Sequence, residues 1–110
     1  MNEVFDAADA ELDWAALPPE QCPHGSISTG VVGLAETGFA QVGIWQHPAG
    51  TSTDVEQDEV FVVISGRGRV HLADGRVLDL APGIVGVLAA GTATTWVIDE
   101  PLRNVWLTAR

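Results

Sequence analysis

Lysine and tyrosine are absent from this 110-residue chain, cysteine occurs once, and no apolar run exceeds that from Ile84 to Ala90. Each shortage excludes something. A lone Cys22 forms no internal disulfide and provides no thiolate set for a zinc finger. An apolar run this short falls well below the roughly 20 residues of a membrane-spanning helix. Basic residues are also scarce in one half: residues 1–66 hold eleven of the fifteen acids and none of the five arginines, and the net charge is −10. Phosphate recognition requires clustered Lys and Arg, so nucleic acid is excluded as a partner. The acidic start, MNEVFDAADAELDW, lacks the basic and then apolar pattern of a secretory leader, which together with the single cysteine predicts a reducing, cytoplasmic location.

What is present is β-branched and glycine-punctuated. Residues 1–26 read as an acidic N-terminal extension, with a short helix expected around Ala7 to Ala16 before Pro18-Pro19 forces an extended turn. Residues 27–110 read as one β domain. Short strands are predicted over Ile27–Leu34, Phe39–Gln46, Glu59–Ile64, Arg69–Leu72, Val77–Leu80, Ile84–Leu88, Thr92–Ile98 and Arg103–Thr108. Eight short strands with turn residues between them predict an all-β sandwich or jelly-roll barrel. Asp74-Gly75, between RVHLA and RVLDL, predicts a tight hairpin. Gly66-x-Gly68 is followed by that hairpin and not by a helix, which rules out a dinucleotide loop.

Two spacings carry a family resemblance. Glu59 and Gly66 are set as the acid and closing glycine of a first cupin motif, and Gly83 with Ala89-Ala90-Gly91 as a second. The run GTATTWVIDEPLRNVW, with Trp96, Glu100-Pro101, Arg103 and Trp106, resembles small single-domain cupins related to the cupin domain of ureidoglycine aminohydrolase, and VGIWQHPAG resembles their Gly-x-Trp strand. The resemblance spans about residues 27–108. It implies a double-stranded β-helix with a pocket in the barrel mouth, and a homodimer. Pro82-Gly83-Ile84 and Ala89-Ala90-Gly91 depart from the usual turn chemistry and mark a divergent member.

The metal-binding form of that family uses two His and a Glu, then a third His. Here the first two fall on Ser52 and Asp54, or on Thr53 and Val55, and the third on Thr94, so only Glu59 remains. One carboxylate with hydroxyls is a poor set for a transition metal, and neither a metal nor another cofactor is expected. If Glu59 points inward, strand parity turns Phe61 and Val63 inward with it, and if Thr94 points inward, so do Thr92 and Trp96. Glu59 becomes the candidate catalytic group, because burial raises a carboxyl toward general acid/base range. Trp45, Ser52, Asp54, Phe61, Thr94 and Trp96 are the candidate ligand-binding residues.

Each has a plainer role available. Asp54 lies in the acidic run Asp54, Glu56, Asp58, expected to be a solvated loop. Trp45 and Trp96 also suit a core or an interface. His47 is expected to be an exposed loop histidine, and Arg103 to pair with Glu100 or another acid. Apolar residues on both faces of one strand, Val60, Val62 and Ile64 against Phe61 and Val63, again predict a dimer.

Three functions remain open at this stage. One is a metal-free pocket that binds or converts a small polar metabolite bearing an amine or amide. A second is a metal-dependent hydrolase or isomerase resembling ureidoglycine aminohydrolase. The third is a non-catalytic dimeric module with its barrel packed shut.

Overall fold

Two strands are long enough to serve both layers of the molecule. The computed structural model describes residues 2–110, whose strands are β1 (Asp13–Ala16), β2 (Ser28–Glu36), β3 (Ala40–His47), β4 (Gly50–Val55), β5 (Glu59–Leu72), β6 (Val77–Leu80), β7 (Val85–Leu88) and β8 (Ala93–Ala109). All pairings are antiparallel. The first half of β5 lies between β7 and the end of β8, while its second half lies between β6 and the start of β8. One layer therefore runs β1-β2-β3-β8-β5-β7 and the facing layer β4-β8-β5-β6, which is the jelly-roll arrangement, one of the two the strand pattern predicts.

Register shifts between Val63 and Gly68 mark the place where β5 and β8 turn from one layer into the other. Gly66 sits there at φ +91°, and a Cβ at this position would stand 2.2 Å from the Pro101 carbonyl. The closing glycine of the first motif is thus required both by backbone conformation and by close approach. Glycine and proline bend these strands without ending them. For that reason the four predicted segments 59–64, 69–72, 92–98 and 103–108 form two strands and not four.

Between the layers, Phe61, Val63, Val70, Leu80, Leu88, Trp96, Ile98 and Leu102 form the core. Gly43 and Trp106 face each other across β3 and β8, and a Cβ on Gly43 would lie 2.1 Å from the Trp106 ring. The missing side chain gives the indole its place. The Asp74-Gly75 hairpin forms as predicted, with the Gly75 N–H donating to the Leu72 carbonyl at 3.0 Å.

No helix forms over Ala7 to Ala16. Residues 13–16 are instead strand β1 on the edge of β2, followed by a single 3-10 turn at Pro19–Gln21. The segment before β1 is held by Arg103, whose Nη1 donates to the carbonyls of Ala7, Ala8 and Ala10 at 3.0, 3.0 and 3.1 Å, with Nε donating to Gln46 Oε1 at 2.7 Å. The expected Arg103 ion pair is replaced by main-chain carbonyls, because the incoming chain crosses the guanidinium and offers several acceptors at once. No helix among the described residues is long and apolar enough to cross a membrane.

Candidate functional site

Side-chain alternation on β3, β8 and β5 stacks rows of residues toward the barrel interior. Gln41, Thr108 and Glu59 form one cross-strand row, Gly43, Trp106 and Phe61 the next, and Trp45, Asn104 and Val63 the third. From the facing layer, Ser52 pairs with Trp96 and Asp54 with Thr94. A cavity of about 320 Å³ opens among these rows, lined by Glu59, Glu56, Asp54, Ser52, Trp45, Trp96, Asn104 and Trp106, with Leu17 and Gln21 of the N-terminal segment also on its wall. Its size lies at the small end of the range for metabolite pockets.

Five of the seven predicted site residues line the cavity: Glu59, Trp45, Ser52, Asp54 and Trp96. Phe61 has the predicted inward parity but is 0% exposed, sealed in the core against Trp96 at a ring separation of 5.7 Å. Thr94 is buried and acts through a neighbour. Its hydroxyl donates to Glu56 Oε2 at 2.6 Å, and the Trp96 Nε1–H donates to the same oxygen at 3.2 Å.

Glu56 is the residue that sequence reasoning missed. Far from being a solvated acid, it is 9% exposed, and its backbone is clamped by two bonds, Glu56 N–H to the Thr92 carbonyl and Gly91 N–H to the Glu56 carbonyl. Asp54 and Asp58 are exposed, as the solvated reading expects, though Asp54 lies on strand β4 and not in a loop; Asp58 accepts from the Ala90 N–H and Asp54 from the Val55 N–H, each at 2.8 Å. The available signal was parity, since Ser52, Asp54 and Glu56 share one face of an extended segment.

Electrostatics follow from crowding acids in a half-closed space. Burial, and then repulsion from Glu56 and Asp54, pushes the Glu59 carboxyl up to about 7. Burial also raises Glu56, opposed by its bonds from Thr94 and Trp96. No arginine lines the cavity. Three of the five are in surface ion pairs, Arg69 with Asp99, Arg76 with Asp74 and Arg110 with Glu36, and Arg103 is spent on carbonyls.

His47 is not an exposed loop residue. It ends β3 at the inward parity of Trp45 and is 0% exposed, because the chain turning through Pro48 into β4 closes over it. Its Nδ1 lies 2.6 Å from the Pro48 carbonyl, which can only accept, so Nδ1 carries the proton. Desolvation lowers its pKa and keeps the ring neutral. Nε2, 2.8 Å from Ser52 Oγ, is therefore the acceptor of the Ser52 hydroxyl. With its hydrogen committed, that hydroxyl offers only lone pairs elsewhere.

Both imidazole nitrogens are thus occupied, and the remaining cavity groups able to face a metal are carboxylates, amides and threonine hydroxyls. Among the described residues no three His, Cys, Asp or Glu side chains converge to hold a metal ion. This donor set does not fit the imidazole-based metal site of metal-binding cupins. One further atom stands out: Asn104 is 3% exposed, lines the cavity, and its Oδ1 has no hydrogen-bond partner among the described residues.

Solved structures with the same fold have diverged far in sequence. The EutQ protein of Clostridium difficile superposes with a TM-score of 0.67 at 17% identity, covering 76% of this chain and 63% of that one. A candidate ethanolamine utilization protein Q from Salmonella typhimurium LT2 gives 0.67 at 14% identity, with 90% and 94% covered. Ectoine synthase from P. lautus gives 0.65 at 18% identity, with 72% and 62% covered. The chain thus spans less than two thirds of the Clostridium and P. lautus proteins, and at these identities the likeness concerns the fold alone. No curated protein matches by sequence. The EutQ-like cupin domain matches over residues 34–106, a stretch running from the end of β2 to Trp106 in β8, and the chain belongs to that family.

Proposed function

We propose that the chain binds a small polar metabolite in the barrel cavity without a metal, and that Glu59 exchanges a proton with it. The observation that carries this is the pair Glu56 and Glu59 facing one cavity with no basic side chain on its wall. A carboxyl held at about 7 is half-ionised at neutral pH, which suits both donation and acceptance of a proton. Trp45 and Trp96, with ring centroids 5.2 Å apart, add a π surface beside the acids. The open volume next to Glu59 supports this over a barrel packed shut as a purely structural module.

A metabolite screen followed by thermal shift and tryptophan fluorescence tests the proposal. A binder is expected to shift both signals in the native chain and neither in Glu59→Gln; an empty screen would overturn it. The rival, a metal-dependent hydrolase resembling ureidoglycine aminohydrolase, rests on the run from Gly91 to Trp106 and would need His47 to release Ser52. Elemental analysis showing about one zinc, manganese or nickel per chain, lost on His47→Ala, would promote that rival. For the assembly we propose a homodimer. Phe39, Val60, Val85 and Val87 are exposed on the outer face, and a second copy would cover them. The free thiol of Cys22 suits a reducing compartment such as the cytoplasm.

A further inference from the structure

The cavity wall is unbalanced in its charge; the hydroxyls of Thr29, Thr53 and Thr108 and the amides of Gln21 and Gln41 also line it, but the Gln21 amide donates to Asp54 and the Gln41 amide to Glu36. Asp54, Glu56 and Glu59 contribute carboxylate oxygens, and Ser52 contributes an oxygen whose hydrogen is already given to His47. Asn104, almost wholly buried, adds an Oδ1 without a partner. A buried carbonyl oxygen left unpaired is costly, so such an atom on a cavity wall calls for a donor from outside the protein. Neither a lysine nor an arginine lines the cavity to neutralise the acids.

We infer that the ligand is a small organic cation bearing a primary ammonium, whose N–H bonds are taken by the Glu59 carboxylate, the Asn104 carbonyl oxygen and the Glu56 carboxylate. The inference rests on the pocket proposed above and names the chemistry of its occupant. An ammonium has three donors and no acceptor, the complement of a wall rich in acceptors. Trp45 and Trp96, in edge-to-face contact, line the same wall beside the acids. A carboxylate or phosphate ligand would meet like charge with no cation to hold it. A neutral amide would satisfy Asn104 and leave the carboxylates uncompensated. Among the described residues the three carboxylates do not gather at one point, as an inorganic divalent ion held by carboxylates requires. At roughly 30 Å³ per heavy atom, taken from the share of one water in the liquid, the cavity limits the ligand to about ten heavy atoms.

Three probes of one carbon skeleton test this by the indole N–H resonances of Trp45 and Trp96: n-butylammonium, n-butanol and butyrate. The ammonium is expected to bind at least about tenfold more tightly than either of the others. Its affinity should increase from pH 6 to pH 8, as Glu59 loses the proton that competes with the ligand. Glu59→Gln should remove detectable binding and Asn104→Leu should weaken it about tenfold, whereas Asn104→Asp, which keeps the shape and adds a charge, should bind as well or better. If Asn104→Leu fails to fold, Asn104→Asp and Glu59→Gln still decide. Butanol or butyrate binding as tightly as the ammonium would overturn the cation while leaving the pocket. Calcium displacing the ammonium from the same resonances at equal concentration would overturn it in favour of an inorganic ion. Silence from all three probes would also overturn it, and the pocket would fall with it only if the metabolite screen is empty too.

Discussion

Replacing Glu59 by Gln should stabilise the protein at alkaline pH while removing its ligand binding. The side chain keeps its shape and loses only its charge. In the folded chain the Glu59 carboxyl sits at about 7, against an ordinary 4.5, first through desolvation and then through Glu56 and Asp54. A carboxyl raised on folding binds more protons in the folded than in the unfolded state between those two values, so its contribution to stability falls as pH rises from about 4.5 to about 7 and is constant above. At about 1.36 kcal/mol per pKa unit the full displacement is roughly 3 kcal/mol. Water on the cavity side screens the charge, and about 1–2 kcal/mol is the better expectation. In a chain of this length that is a rise in Tm of roughly 3–8 °C at pH 8. Well below pH 4.5, where Glu59 is largely protonated in both states, the two proteins should melt together. His47 works in the opposite direction, its lowered pKa costing stability as pH falls below about 6.5. It is common to both proteins and cancels in the difference. Urea titrations of native and Gln chains between pH 4.5 and 8 measure this directly. A Gln variant less stable than the native chain at pH 8 would show that Glu59 holds the fold together, and would refute the reasoning.

Arg103→Ala should free the segment before β1, because four side-chain donor bonds to Ala7, Ala8, Ala10 and Gln46 are lost at once. The expected signature is rapid amide exchange and proteolysis near residues 7–10, with about 2 kcal/mol lost from the whole, and native-like protection there would contradict it. Gly43→Ala puts a methyl group into the Trp106 ring. A loss of about 1–3 kcal/mol and altered tryptophan fluorescence should follow, and an unchanged Tm would mean that the ring has room to move. Light scattering should report a dimer at micromolar protein, converted to monomer by Val87→Asp on the exposed face of β7; a native chain that runs as a monomer sinks the dimer.

The sequence alone decided the all-β class, because alternation of β-branched residues with glycine and proline is a local property that the fold retains. It also decided that Phe61 and Val63 share a side with Glu59, and Trp96 with Thr94, since parity along a strand needs no knowledge of its neighbours. The absence of the imidazole set was equally legible, residue by residue. Tertiary structure decided what lay beyond local pattern. Glu56 reads as one more acid in a polar run, and only the turn at Gly91-Thr92, far along the chain, pins it beneath Thr94 and Trp96. His47 is buried by the chain that returns through Pro48 to Ser52, which no spacing from Glu59 could reveal. Asn104 looks like any strand asparagine until two layers close around it and leave its carbonyl oxygen unpaired. Whether a polar atom is solvated or stranded depends on which distant strand covers it, and long-range pairing alone settles that.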